Sequence, residues 1–248
     1  MKMTPYYYTY FLIDYDNLGL SEVSEIKSFL DQIISIFYEK DLLDKMSHTI
    51  FNVRLYGGWD ELVNDDYDGV KNQASRKALD LTNFIDGHYP DVSIKPKYSV
   101  NVSLIHSLAI RPHAIYPFTY RKRETLSRIH VCSKEDACCD GSTQHIDYLK
   151  KLKKHSKCPL CNKKSSINIW TSEQKLVDTM LAMDLSFFAQ TDPQAMLVLI
   201  SDDDDFIPVM FQQGMLNKKI FHITRNPGRC FMEYKKIAPI GYYENITI

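Results

Sequence analysis

Two acidic runs could do chemistry together. Ser201-Asp202-Asp203-Asp204-Asp205-Phe206 follows the apolar run Met196-Leu197-Val198-Leu199-Ile200, and Asp14-Tyr15-Asp16-Asn17 follows Phe11-Leu12-Ile13. Carboxylates crowded at the end of a buried strand repel one another and raise each other's pKa. A divalent cation relieves that repulsion, and oxygen-only ligands suit Mg²⁺ or Mn²⁺ rather than zinc. Such a site can activate a water and relieve charge on a leaving oxygen, which is what phosphodiester hydrolysis needs. Two apolar strands that each end in Asp predict one site at the C-terminal edge of a parallel α/β sheet, where ligands usually bind.

The elements that must position these residues are legible from periodicity. Tyr6–Ile13 reads as a strand, and 21–38 as a helix whose apolar residues Val23, Ile26, Leu30, Ile33, Ile34 and Phe37 keep a period near 3.6. Ser21 is its expected N-cap. Thr49–Tyr56 is a second strand ended by Gly57-Gly58; 60–86 is expected to be helical with a polar break, and 92–102 extended with an interruption at Pro96. A helix is expected over 173–189, then strand 196–200, a helix from Phe206 and strand 220–224, with an edge strand in the tail 229–248. Strands alternating with helices predict a three-layer α/β fold around a mainly parallel sheet. Residues 110–170 break the pattern and read as an insertion. The expected division is a discontinuous core, 1–110 and 171–248, with an inserted module at 111–170.

The helix over 173–189 is apolar on most faces, so its Asp178 and Asp184 need a partner or a metal. Asp178 lies near the N-terminus, where the helix dipole favours an anion. Asp184 is six residues on, roughly 120° around and ~9 Å along the axis. That distance predicts a structural or supporting role rather than a shared metal.

Jointly, Asp14-x-x-Asn17 closing a strand, Lys175-x-Val177-Asp178 on a late helix and Ser201-x-Asp203-x-Asp205-Phe206 after a strand resemble the NYN branch of the PIN-like nuclease superfamily. The resemblance covers strand one and roughly 172–224, and the Arg54-Leu55-Tyr56-Gly57-Gly58-Trp59 turn is similar to some members. It implies a metal-dependent ribonuclease, an endonuclease on single-stranded or structured RNA. Asp14, Asp178, Asp203 and Asp205 would hold Mg²⁺ or Mn²⁺, and Asn17 would orient Asp14 or the scissile phosphate. Ser201 would position the acidic loop, Phe206 would anchor it, and Lys175 would contact phosphate or balance the carboxylates. The chain departs from the family pattern at Asp202, where Gly is usual, and Asp16 and Asp204 have no assigned role.

Two other readings compete. A haloacid-dehalogenase-like phosphatase would use Asp14 as a nucleophile. That class wants Thr or Val where Leu18 stands, and it leaves Asp178 and the Asp205-Phe206 pair unexplained. A non-catalytic RNA-binding protein on a nuclease-like fold is disfavoured by the complete carboxylate set.

The insertion carries its own signals. Cys158-Pro159-Leu160-Cys161 is a tight C-x-x-C, separated from Cys138 by 19 intervening residues. With Cys132 and Cys138, or Cys139, it reads as a zinc-ribbon-like site for a structural Zn²⁺. His130, His145 or His155 can replace one thiolate. Cys230 stands apart as a thiol. Residues 119–164 hold 12 Lys/Arg against 5 Asp/Glu, whereas the rest holds 18 against 26. Arg121, Arg123, Lys150, Lys151 and Lys154, interleaved with Tyr and His, suit phosphate contact and base stacking, hence an RNA (or DNA) partner.

The whole chain has 248 residues, 44% hydrophobic and 25% charged, with a net charge of -1. Those values are ordinary for a globular protein. No run approaches the roughly 18 apolar residues of a membrane span. The Tyr-rich start is unlike a signal core, so a cytoplasmic protein is expected.

Overall fold

In the computed structural model, short apolar runs from the two ends of the chain assemble one sheet that is buried on both faces, and the period-3.6 segments cover those faces. The structure describes residues 7–20, 22–39, 48–59, 73–89, 93–95, 98–116, 119–125, 169–174, 176–225, 233, 236 and 243–247. The chain divides into two compact units. One comprises Met1–Tyr120 with Gln174–Ile248, the other Arg121–Glu173.

The larger unit runs β1 (Tyr7–Asp14), α1 (Glu25–Glu39), β2 (Thr49–Tyr56), α2 (Gln73–His88), β3 (Ser93–Lys95) and β4 (Tyr98–Leu104). After the smaller unit come α3 (Val177–Thr191), β7 (Met196–Ile200), α4 (Ile207–Met215), β8 (Ile220–Thr224) and β9 (Tyr243–Thr247). The seven strands lie in the order β3-β4-β2-β1-β7-β8-β9. All neighbours are parallel except β3, which pairs antiparallel with β4. The strands β5 (Tyr120–Thr125) and β6 (Ile169–Gln174) pair with each other and, apart from their end residues Tyr120 and Gln174, belong to the smaller unit.

The faces follow from the strand period of two. On one face Phe11, Ile13, Phe51, Val53, Leu55, Val198 and Ile200 pack under Ile26, Leu30, Ile33 and Phe37 of α1 and Leu81 and Ile85 of α2. On the other, Leu12, Leu197, Leu199 and Ile220 pack under Val177, Leu181, Leu185 and Phe188 of α3 and Met210 of α4. This is the three-layer α/β arrangement around a mainly parallel sheet.

Several expected boundaries move. The first helix begins at Glu25, where the Glu22 N–H donates to Glu25 Oε2; Ser21 and 60–72 lie outside the described residues. Glu173 and Gln174 are strand, not helix, because α3 starts only after Leu176, which takes a left-handed conformation at φ 67°. A non-glycine residue there costs about 1–2 kcal/mol. It leaves Asp178 in the first turn of α3. The segment after β4 stays with the larger unit through Thr119: the Tyr116 N–H donates to His106 O, and Thr119 Oγ1 accepts from the Trp59 N–H. The expected edge strand of the tail is β9, parallel to β8.

Candidate functional site

The register of β1 against β7 pairs Ile13 with Ile200, so Asp14 and Ser201 leave the sheet side by side at its C-terminal edge. Asp14 is 0% exposed. Its Oδ2 accepts from Asn17 Nδ2 at 2.5 Å and from Ser201 Oγ at 2.8 Å. Its Oδ1 is buried and has no hydrogen-bond partner among the described residues. Burial pushes the Asp14 carboxyl up to about 6; the Ser201 and Asn17 hydrogen bonds oppose this, and the charges of Asp178 and Asp16 add to it. A buried acceptor with no donor is costly unless something supplies positive charge. The group therefore fits a cation.

Ser201 is the hub of the acidic loop. Its Oγ also accepts from the Asp203 N–H at 3.0 Å. Its carbonyl accepts from His222 Nε2 at 2.8 Å, which fixes the hydrogen on that nitrogen. Asp203 in turn caps the 3₁₀ turn Asp204–Phe206, where its Oδ1 accepts from the Asp205 N–H at 2.9 Å. Phe206 is buried against α3 and α4, as expected of an anchor. Asp203 is half-buried and Asp205 is exposed at the rim. Asp178 sits close enough for its charge to act on Asp14. Hydrogen bonds thus join Asp14, Asn17, Ser201 and Asp203, and Asp178 joins them through its field.

The remaining acidic residues have other duties. Asp16 Oδ1 pairs with Lys77 Nζ at 2.5 Å, and its Oδ2 accepts from the Gly58 N–H. That ties the turn after β1 to the turn after β2. Asp202, the departure from the family pattern, accepts on Oδ1 from the Arg225 N–H at 2.7 Å. Asp184, 1% exposed, accepts from Arg54 Nη2 and Tyr56 OH on Oδ2 and from the Ala109 N–H on Oδ1. It locks α3 to β2 and to the loop after β4, the structural role its helical position predicts.

Lys175, Lys150, Lys151, Lys154, Cys132, Cys138, Cys139, Cys158 and Cys161 lie outside the described residues. Arg121 and Arg123 fall on β5. Among the described residues no group of three or more His, Cys, Asp or Glu is disposed to hold a metal ion. No described helix is long and apolar enough to cross a membrane.

Comparison with known proteins gives no match to a family model, a curated protein or a solved structure.

Sequence reasoning passed over His222 and Arg225 and gave Arg54 and Tyr56 no role beyond a family-like turn. His222 carried a signal: a polar residue inside Ile220-Phe221-His222-Ile223, a strand buried throughout. Burial pushes the imidazole down to about 4, against the hydrogen bond to Ser201 and the charges of Asp202 and Asp204. It is a neutral support beneath the acidic loop.

Proposed function

We propose that the chain is a metal-dependent nuclease of the NYN type that hydrolyses phosphodiester bonds of RNA. The observation that carries this reading is Asp14: a buried carboxyl raised to about 6, with one oxygen held by Asn17 and Ser201 and the other left without a donor among the described residues. A structural aspartate at that position would have both oxygens satisfied, as Asp184 has.

Asp14 and Asp178, with Asp203 and Asp205 at the rim, would hold Mg²⁺ or Mn²⁺. Magnesium commonly takes only one or two carboxylates and fills its shell with water and substrate phosphate. An incomplete protein cage is therefore compatible with it. When bound, the ion supplies an activated water and charge relief on the leaving oxygen. Asn17 and Ser201 orient Asp14, and Asp203 holds the turn that carries Asp205. The proposal extends to Lys175, Arg121, Arg123, Lys150, Lys151 and Lys154 as phosphate contacts, and to a zinc staple at Cys132, Cys138, Cys158 and Cys161.

The test is cleavage of a short single-stranded RNA with Mg²⁺ or Mn²⁺ and with EDTA, using the parent, Asp14→Asn and Asp203→Asn. Metal-dependent cleavage lost in both folded variants supports the reading, and unchanged cleavage in both overturns it. RNA binding without cleavage in either metal would favour the non-catalytic alternative. Rapid turnover of small phosphate esters would favour the phosphatase.

A further inference from the structure

A polyanion approaching Asp14, Asp178, Asp202, Asp203, Asp204 and Asp205 meets a repulsive field unless a fixed cation stands beside them. Arg225 follows the last residue of β8, the strand next to β7, and so lies beside the acidic loop. Its backbone N–H is fastened to Asp202 Oδ1. Its guanidinium lies over the Phe29 ring, 5.2 Å from the centroid, and Nη1 donates to the carbonyl of Leu18, just after Asn17. That bond goes to a neutral oxygen, and among the described residues no carboxylate pairs with the guanidinium. Arginine presents five N–H donors in a planar fork suited to phosphate, and one nitrogen suffices for the carbonyl. Arg225, Asn17, Ser201 and Asp202 line one cleft too small for a phosphate, and Arg225 is only half-buried, so a phosphate would reach it from the solvent side.

We propose that Arg225 binds a backbone phosphate of single-stranded RNA at the rim of the acidic site. This rests on the nuclease reading above. The ring of Phe29 and the Leu18 carbonyl hold the fork in place before RNA arrives, so little side-chain freedom is lost on binding.

Arg225→Gln keeps a donor for the Leu18 carbonyl and deletes the charge. It is expected to raise KM for the RNA about tenfold or more, the usual weight of a charged hydrogen bond, and to leave kcat nearly unchanged. With a fluorescein-labelled single-stranded oligoribonucleotide, the slope of log affinity against log salt should shrink by about 0.7. Arg225→Lys should keep the parental slope while recovering part of the affinity, and it remains readable if the Gln variant does not fold. A lower melting temperature with KM and salt slope unchanged would make Arg225 a structural strut and overturn the inference. The two readings fail separately. Cleavage with parental KM and slope in Arg225→Gln removes this inference alone. Arg225-dependent RNA binding by a parent that does not cleave removes the nuclease reading alone.

Discussion

Ser201 Oγ donates to Asp14 Oδ2 at 2.8 Å, although 187 positions separate the two residues in the chain. The parallel pairing of β1 with β7 makes this contact inevitable once Ile13 stands opposite Ile200. The bond uses one carboxylate oxygen and leaves the other buried and without a donor among the described residues, the atom on which the proposed metal site turns.

Asp14 and His222 should push stability in opposite directions with pH. The folded pKa of Asp14 is raised to about 6 from 3.8. Its contribution is therefore fully present below 3.8 and is lost as pH rises through 6. The folded pKa of His222 is lowered to about 4 from 6.5, so its contribution is present above 6.5 and is lost as pH falls through 4. Each is worth about 3 kcal/mol at 1.36 kcal/mol per unit. In the parent with EDTA the two largely cancel between these limits. Urea unfolding of Asp14→Asn should show stability falling towards pH 4, and His222→Gln should show it rising. Parallel profiles in the two variants would contradict both assignments. Asp14→Asn should also be more stable than the parent at pH 7 without metal, and Mg²⁺ should raise the melting temperature of the parent alone.

Asp184→Ala should cost about 3–5 kcal/mol, because it leaves the Arg54 charge and the Ala109 N–H without their buried acceptor. Adding Arg54→Met should recover part of that loss, measured as a coupling energy in chemical denaturation. Cleavage per folded molecule should stay near the parental value, which separates Asp184 from Asp178.

Gly57→Ala should destabilise by about 1–3 kcal/mol. A Cβ there would lie 2.7 Å from the Trp59 ring, which is buried and donates from Nε1 to the Leu55 carbonyl. Gly87→Ala in α2 meets nothing within 4 Å and should instead stabilise by about 0.5–1 kcal/mol. Melting temperatures that move the same way in both variants would refute the steric account.

The cysteine-rich insertion should bind zinc, near one atom per chain by elemental analysis. Cys158→Ser should remove the metal and raise the proteolytic susceptibility of 111–170 more than that of the larger unit. A metal-free protein with undiminished thermal stability would rule the site out.

The local pattern of the chain was enough to place the strands that lead into Asp14 and Ser201, an apolar helix carrying Asp178 and Asp184, though not its start at Val177, and an edge strand in the tail. Hydrophobic period encodes which face an element buries, and the βα alternation restricts the sheet to parallel pairing. The same pattern separated Asp178 from Asp184 by helical rotation alone. It could not say which carboxylates would find partners. Asp16 meets Lys77 and Gly58, Asp202 meets the Arg225 N–H, and Asp184 meets Arg54 and Tyr56. Side-chain periodicity contains no information about contacts between residues tens of positions apart. Register and chain crossing decide them, and with them which aspartate keeps a buried oxygen without a donor among the described residues. Burial acts the same way: Asp14 and His222 have unremarkable side chains until the sheet takes them out of water, and only then do their pKa values move.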